Sequence, residues 1–141
     1  MRLLHSVFFN VLVLTFLTTC AVSVSAQQTV LPELTDIKLV DKTPSFPGGR
    51  NELKAFIAKT LVYPEEPKRN RTTGTIPVEF IIDQDGNILQ PKNIGDTEID
   101  NRLIKEAIRV IKAMPQWTPA EYKGQKVACK MVVPVVFEIN E

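Results

Sequence analysis

Apolar residues recur along this chain with two different periods, and clusters of proline and glycine separate the segments. A first helix is predicted after the turn at Ser45–Gly49 and before Tyr63-Pro64, because a residue that precedes proline is disfavoured in the helical region. Its apolar side is spaced by three and four residues, as one face of a helix requires. This stripe consists of Leu53, Phe56, Ile57, Thr60 and Leu61.

A second helix is predicted between Thr97, which can cap its first turn, and Pro115, which stops it. It has a broad apolar face, made of Ile99, Leu103, Ile104, Ala107, Ile108, Ile111 and Met114. Trp117 follows in a turn and is expected to fill the core rather than to bind a ligand. Both helices therefore need an apolar partner surface, which a sheet can supply.

Strand periodicity, in which every second residue is apolar, marks three further segments. Thr75–Ile82 alternates regularly, and Asp83–Gly86 closes a hairpin into a less regular strand, Ile88–Ile94. Lys126–Asn140 is the longest strand, and a weakly alternating segment, Ile37–Asp41, is predicted to form the first strand. The predicted order is strand, helix, hairpin, helix, strand.

The last predicted strand is the candidate functional element. Its odd-numbered side chains, from Val127 to Ile139, are expected to meet the helices. No later segment is expected to cover its outer edge, and an uncovered strand edge can pair with a foreign backbone. The candidate peptide-binding residues are Ala128, Lys130, Val132, Pro134, Val136 and Glu138. Two alternatives remain open, since this edge could pair with itself in a homodimer or be covered by Ile37–Asp41.

Residues 1–26 have the pattern of a secretory signal. An apolar run, Val7–Leu17, is followed by small residues at Val24–Ala26, which favours cleavage after Ala26. Two other fates are open: Val7–Ala26 could remain as a membrane anchor, or Cys20 could carry a lipid, because Leu17–Cys20 resembles a lipobox. Membrane attachment is expected only in those two cases.

Cleavage would limit the available chemistry. It removes His5 and Cys20, so that the only thiol is Cys129 and no imidazole remains for nucleophile–base pairs or histidine metal sites. Arg2 is lost as well, which brings the 17 basic residues level with the 16 acidic ones and argues against nucleic acid as a partner. We therefore predict no catalytic residues, no metal, no cofactor and no enzymatic activity. Cys129 is expected to pack in the core.

Several short motifs occur in an order that resembles the TonB C-terminal domain family, with features of its Bacteroidetes branch. The resemblance covers roughly Asp41 to Ile139. The motifs are Phe46–Gly49 with Tyr63-Pro64, Gly74–Asp83 with Asp85-Gly86, Glu106–Val110 with Met114–Pro119, and Gly124–Val127 with Val133–Phe137. The resemblance implies an α+β fold (β-α-β-β-α-β), in which two helices pack on one face of a three- to four-stranded antiparallel sheet. The domain would span 37–141, after a short linker, 27–36.

The resemblance also implies a function. Domains of this family bind a short segment of outer-membrane transporters, the TonB box, as a strand added to the last strand. We therefore expect a periplasmic protein-binding module in TonB-dependent transport, whose partner is such a transporter or another envelope protein. The alternative is a structural or regulatory domain that self-associates through the same edge. A linker of ten residues reaches at most about 36 Å, so force transmission across the periplasm by this chain alone is not expected.

Overall fold

A computed structural model of the chain describes residues 34–139. The predicted signal segment 1–26, with its cleavage and lipid sites, lies outside the described residues, as does 27–33 of the predicted linker. Three helices and five strands are present in the described part of the chain. In order they are β1 (Leu34–Thr35), α1 (Gly49–Thr60), α2 (Glu65–Arg69), β2 (Gly74–Ile82), β3 (Ile88–Asn93), α3 (Asn101–Lys112), β4 (Ala120–Tyr122) and β5 (Gln125–Phe137).

The strands form one sheet with the order β1-β5-β2-β3, and β4 pairs with the beginning of β5. The central pair is antiparallel and continuous, from Gly74 opposite Phe137 to Ile82 opposite Cys129. The β2–β3 hairpin is antiparallel, with a register irregularity between Glu79 and Ile81. β1 is the exception, because it runs parallel to β5.

The core lies on one face of this sheet, between the central strands and the two long helices. Alternate side chains of β2 and β5 point into it, as the period of two in the sequence predicted. They pack against the apolar face of α3, and the contributing residues are Ile76, Val78, Phe80, Ile82, Val133, Val135, Phe137, Leu103, Ala107 and Ile111. Leu53, Phe56 and Ile57 of α1 also contact this cluster but are only partly buried. The predicted α+β fold, with its two long helices on one face, is confirmed.

The prediction of a first strand at Ile37–Asp41 is wrong. Residues 37–39 form a turn, in which the Leu39 N–H donates to the Asp36 carbonyl oxygen at 2.9 Å. The first strand is instead β1, at Leu34–Thr35, within the segment that we assigned to the linker. Apolar residues alternate only weakly at 37–41, and so short a pattern does not distinguish a strand from a turn.

Two short elements and two element boundaries also differ from the sequence predictions. The segment after Pro64, for which no helix or strand was predicted, contains the short helix α2 with a buried Pro67. Helix α3 begins after Asp100 rather than Thr97, because the Asp100 side chain caps it by accepting the Arg102 N–H at 2.9 Å. β4 was not predicted, and β5 ends at Phe137 instead of Asn140.

Trp117 is 5% exposed and fills the core, as predicted from its place in the turn. Its main chain holds the tip of the β2–β3 hairpin, since the Trp117 N–H donates to the Gly86 carbonyl oxygen at 2.9 Å. Gly86 has a φ of +87°, and a Cβ placed on it would lie 1.9 Å from the Trp117 carbonyl oxygen. Gly86 is therefore required both by the turn conformation and by this close contact.

Gly86→Ala is expected to lower the free energy of unfolding far more than Gly124→Ala. Gly124 has a similar φ of +76°, but nothing lies within 4 Å of the position that a Cβ would occupy there. Gly124→Ala should therefore cost only the left-handed strain, about 1–2 kcal/mol. Gly86→Ala adds a backbone clash of about 1–3 kcal/mol. Urea unfolding of both variants measures the difference, and equal losses would show that the hairpin does not depend on this contact.

Candidate functional site

The outer edge of β5 is defined by the direction of its main-chain groups. The Pro77 carbonyl oxygen accepts a hydrogen bond from the Ile94 N–H at 3.0 Å, so the main chain of Pro77 is directed toward β3. Pro77 lies opposite Pro134 in the β2–β5 pair. In an antiparallel pair, the main-chain N–H and carbonyl groups of two opposite residues point either toward each other or away from each other. The main-chain groups of Pro134 therefore point away from β2, to the outer edge.

The same alternation applies along the strand, because the β2–β5 register has no bulge. Lys130, Val132 and Val136 therefore each direct an N–H and a carbonyl oxygen outward, whereas Pro134 directs only a carbonyl oxygen. β1 covers this edge only at Ala128 and Cys129. Within residues 34–139, no strand pairs with the outer edge of β5 from Lys130 to Phe137.

Four of the six predicted site residues lie together along this uncovered segment. Lys130, Val132, Pro134 and Val136 are exposed on the sheet face opposite the helices, with Val132 at 44% and Val136 at 43%. Ala128 is fully buried and lies opposite Leu34 of β1, so it is not part of the uncovered segment. Glu138 follows the end of β5. Cys129 is buried, and its burial raises the pKa of the thiol, which fits the packing role predicted for it.

A small ion-pair cluster lies on the outer face beside the edge. Glu79 of β2 lies 3.1 Å from the Lys92 ammonium and 3.5 Å from the Lys130 ammonium. The hydrogen bond from Lys92, with a smaller contribution from Lys130, holds the pKa of Glu79 below its usual value. Lys130 is thereby drawn toward β2, which leaves its main chain on the other side unobstructed by its own side chain.

A groove of about 670 Å³ borders the uncovered edge on the helix side of the sheet. One wall is Met131–Pro134 of β5, and the other is the part of α1 from Gly49 to Ile57. The wall formed by α1 consists of Gly49, Arg50, Leu53, Lys54 and Ile57. The segment Thr43–Phe46, Ile37 and Trp117 complete the lining. Sequence reasoning missed this groove, because the stripe of α1 has the same spacing whether it is fully or only partly covered.

Helix α1 is held in place from its C-terminal end by α3. The Glu106 carboxylate accepts the Val62 N–H at 2.7 Å and the Arg109 guanidinium at 2.6 Å, and Arg109 also donates to the Thr60 carbonyl oxygen at 2.8 Å. Burial acts to raise the pKa of Glu106, but the hydrogen bonds from Arg109 and Val62 outweigh it, so the pKa lies below its usual value. This cluster sets the position of the groove wall.

Comparison with protein-family models identifies residues 59–139 as a match to the family described as Gram-negative bacterial TonB protein C-terminal. The match covers more than half of the chain. The chain belongs to the TonB C-terminal family. The family consists of non-enzymatic protein-interaction domains that interact with outer-membrane transporters. Most of α1, and with it the α1 wall of the groove, precedes the matched residues.

Two solution structures of the Helicobacter pylori TonB C-terminal domain, a longer and a shorter fragment, are similar to this chain. The longer one is 21% identical and has a TM-score of 0.49, and the match covers 67% of this chain and 88% of that one. The shorter one is 19% identical with the same TM-score of 0.49, and the match covers 64% and 94%. The comparison with curated proteins gave no significant match.

Two further observations concern the part of the chain from 34 to 139. None of its helices has the length and apolar character needed to cross a bilayer. No group of three or more histidine, cysteine, aspartate or glutamate side chains in it could hold a metal ion.

Glu106→Gln is expected to destabilise the domain by about 1–3 kcal/mol at neutral pH, because it removes a charged partner from Arg109 and weakens the bond to Val62. Glu106 has a lowered pKa in the folded state, so its contribution is present above the usual value of 4.5 and is lost as the pH falls through the lowered value. Urea unfolding at neutral pH and at several values below 4.5 tests this. The difference from the wild type should shrink with falling pH.

The exposed Glu98 supplies a matched control for that measurement. Glu98→Gln removes the same charge from a side chain outside the α1–α3 contact, and it should change the free energy of unfolding by less than about 0.5 kcal/mol. Equal effects of the two substitutions would contradict the assigned anchoring role of Glu106.

Proposed function

We propose that the outer edge of β5, from Lys130 to Val136, binds an extended segment of a partner protein as an added strand. The partner is a TonB-box-like segment of an outer-membrane transporter. The observation that carries this proposal is the row of outward main-chain groups without a strand partner among the described residues. An uncovered edge of this kind supplies main-chain affinity for an extended peptide.

The expected strength of the interaction follows from the groups that the edge offers. Lys130, Val132 and Val136 each supply a donor and an acceptor, and Pro134 supplies an acceptor. Each hydrogen bond contributes about 0.5–1.5 kcal/mol net, and ordering of a flexible segment opposes this gain. The expected affinity is therefore modest.

The proposed setting is the periplasm, after cleavage of the signal segment following Ala26. The chain would act there in TonB-dependent transport as a binding domain of the Bacteroidetes type. Self-association through the same edge is the alternative. Pro134 does not distinguish the two, because its missing N–H interrupts pairing with a second copy as well as with a peptide. The distinction is experimental, since a dimer would occupy the groups that a peptide needs.

Val132→Pro is expected to weaken binding of a transporter TonB-box peptide by about tenfold or more, because it removes an outward N–H and places a ring on the edge. The fold should survive, since the Val132 main chain is directed away from β2 and no β2–β5 hydrogen bond is lost. Val132→Thr is the matched control, which keeps the N–H and should bind like the wild type. Calorimetry measures the affinities, and amide NMR shifts locate the peptide.

Peptide-induced shifts confined to residues away from β5 would contradict this assignment. So would a Val132→Pro variant that remains folded and binds as tightly as Val132→Thr. Sedimentation of the peptide-free protein completes the test, because a stable dimer that dissociates in Val132→Pro but not in Val132→Thr would establish self-association in place of peptide binding.

Pro134→Val is expected to act in the opposite direction. It adds an outward N–H in the middle of the edge, so the peptide should bind up to about tenfold more tightly, and the peptide-free protein should self-associate more readily. Calorimetry and sedimentation measure the two effects. Unchanged values for both, in a variant with unchanged β5 amide shifts, would show that the edge is not the pairing surface.

A further inference from the structure

We propose that the groove between α1 and β5 selects the partner by its side chains, with Leu53 and Ile57 contacting apolar residues and Arg50 and Lys54 an acidic residue. This inference rests on the proposed function, because it concerns the same added strand. It assigns a specificity role to α1, most of which precedes the matched part of the chain. The ligand class is an extended segment with apolar residues at alternate positions and an acidic residue beside them.

The register of an added strand determines which of its side chains enter the groove. A residue opposite Met131 or Val133 would share their face of the sheet, with its Cβ about 4.5–5.5 Å from theirs. That face is the one on which the helices lie, and both residues line the groove. Two incoming side chains, two positions apart, would therefore point at α1. The side chains between them would lie beside Val132 and Pro134 on the opposite face.

The apolar residues of α1 that line the groove are only partly covered by the rest of the domain. Helix α1 has no buried residue, although its stripe contacts the core cluster. Leu53 and Ile57 line the groove together with Phe46 and Met131. Side chains of an added strand would cover these residues, so apolar residues at the groove-facing positions are favoured over polar ones.

The charged part of the groove has a single sign. Arg50 and Lys54 are one helical turn apart, so they lie on the same side of α1, and both are exposed and line the groove. Within residues 34–139, neither has an ion-pair partner. The described lining contains no carboxylate. An acidic residue in the bound segment would supply the missing charge complement.

Trp117 provides a direct readout of groove occupancy. It is the only tryptophan of the chain and lines the groove. Its indole N–H is buried and has no hydrogen-bond partner among the described residues. Its fluorescence and its indole N–H chemical shift therefore report events at the groove without a label on the protein.

The experiment uses the purified full chain and three capped nine-residue peptides that contain no tryptophan. The first has Val at every second position with Thr between them and ends in two Glu residues. The second replaces each Val by Thr, and the third replaces both Glu residues by Lys. All three can form the same main-chain hydrogen bonds. Titrations followed by Trp117 fluorescence, calorimetry and β5 amide shifts are run on each.

The first peptide should bind best and perturb Trp117. Replacement of Val by Thr should weaken binding by about tenfold or more, through lost apolar burial. Lys54→Glu should weaken the first peptide by about threefold to tenfold and strengthen the Lys-containing one. Lys105→Glu is the matched control, because Lys105 is an exposed lysine in the middle of α3 outside the groove. It should leave the order and strength of binding unchanged.

The outcomes separate this inference from the proposed function. If all three peptides shift β5 amides with equal affinity, and Lys54→Glu behaves like Lys105→Glu, strand addition stands and the groove selects nothing. If no peptide shifts the amides of Lys130–Val136, the proposed function is wrong, and the inference is wrong with it. Preference for the first peptide over the other two supports both, provided that Lys54→Glu, and not Lys105→Glu, removes the preference over the Lys-containing peptide.

Discussion

The continuous antiparallel pairing of β2 with β5 is the constraint on which the rest of the structure depends. With Pro77 opposite Pro134, every even-numbered residue of β5 beyond the β1 contact directs its main chain outward. The same register places alternate side chains of both strands in the core. A shift by one residue would expose the core face and turn the outward row of N–H groups toward β2. The β2–β5 register therefore determines both which side chains are buried and which main-chain groups face the uncovered edge.

The two long helices contribute in different ways to the surface beside this edge. α3 buries Leu103, Ala107, Val110 and Ile111 and completes the core. α1 buries none of its residues and is held at its C-terminal end by Glu106 and Arg109 of α3. The result is a helix of defined position with an incompletely covered face, which is the property expected of a groove wall. Core burial therefore depends mainly on α3, whereas α1 supplies a wall of the groove.

Much of the fold followed from the sequence, and the failures have physical reasons. The long periodic segments, α1, α3 and β5, were predicted correctly because burial of one face requires a regular repeat over many residues. The prediction failed for Ile37–Asp41, where five residues carry too little periodicity to separate a strand from a turn. The cap of α3 was misplaced, since Thr97 and Asp100 are both good capping residues and packing of the helix chooses between them.

By itself, the sequence determined the class of fold, the burial of alternate residues in β5 and the family. It also named six candidate site residues, of which Lys130, Val132, Pro134 and Val136 lie along the uncovered edge. These depend on local periodicity and on residue types, which are written in the order of the chain. Only the tertiary structure decided that β1 covers Ala128, and that α1 and β5 enclose a groove with Arg50 and Lys54 on its wall. Those features bring together residues that are distant in the sequence. Their positions depend on tertiary packing, which cannot be predicted from the periodicity of apolar residues along the chain.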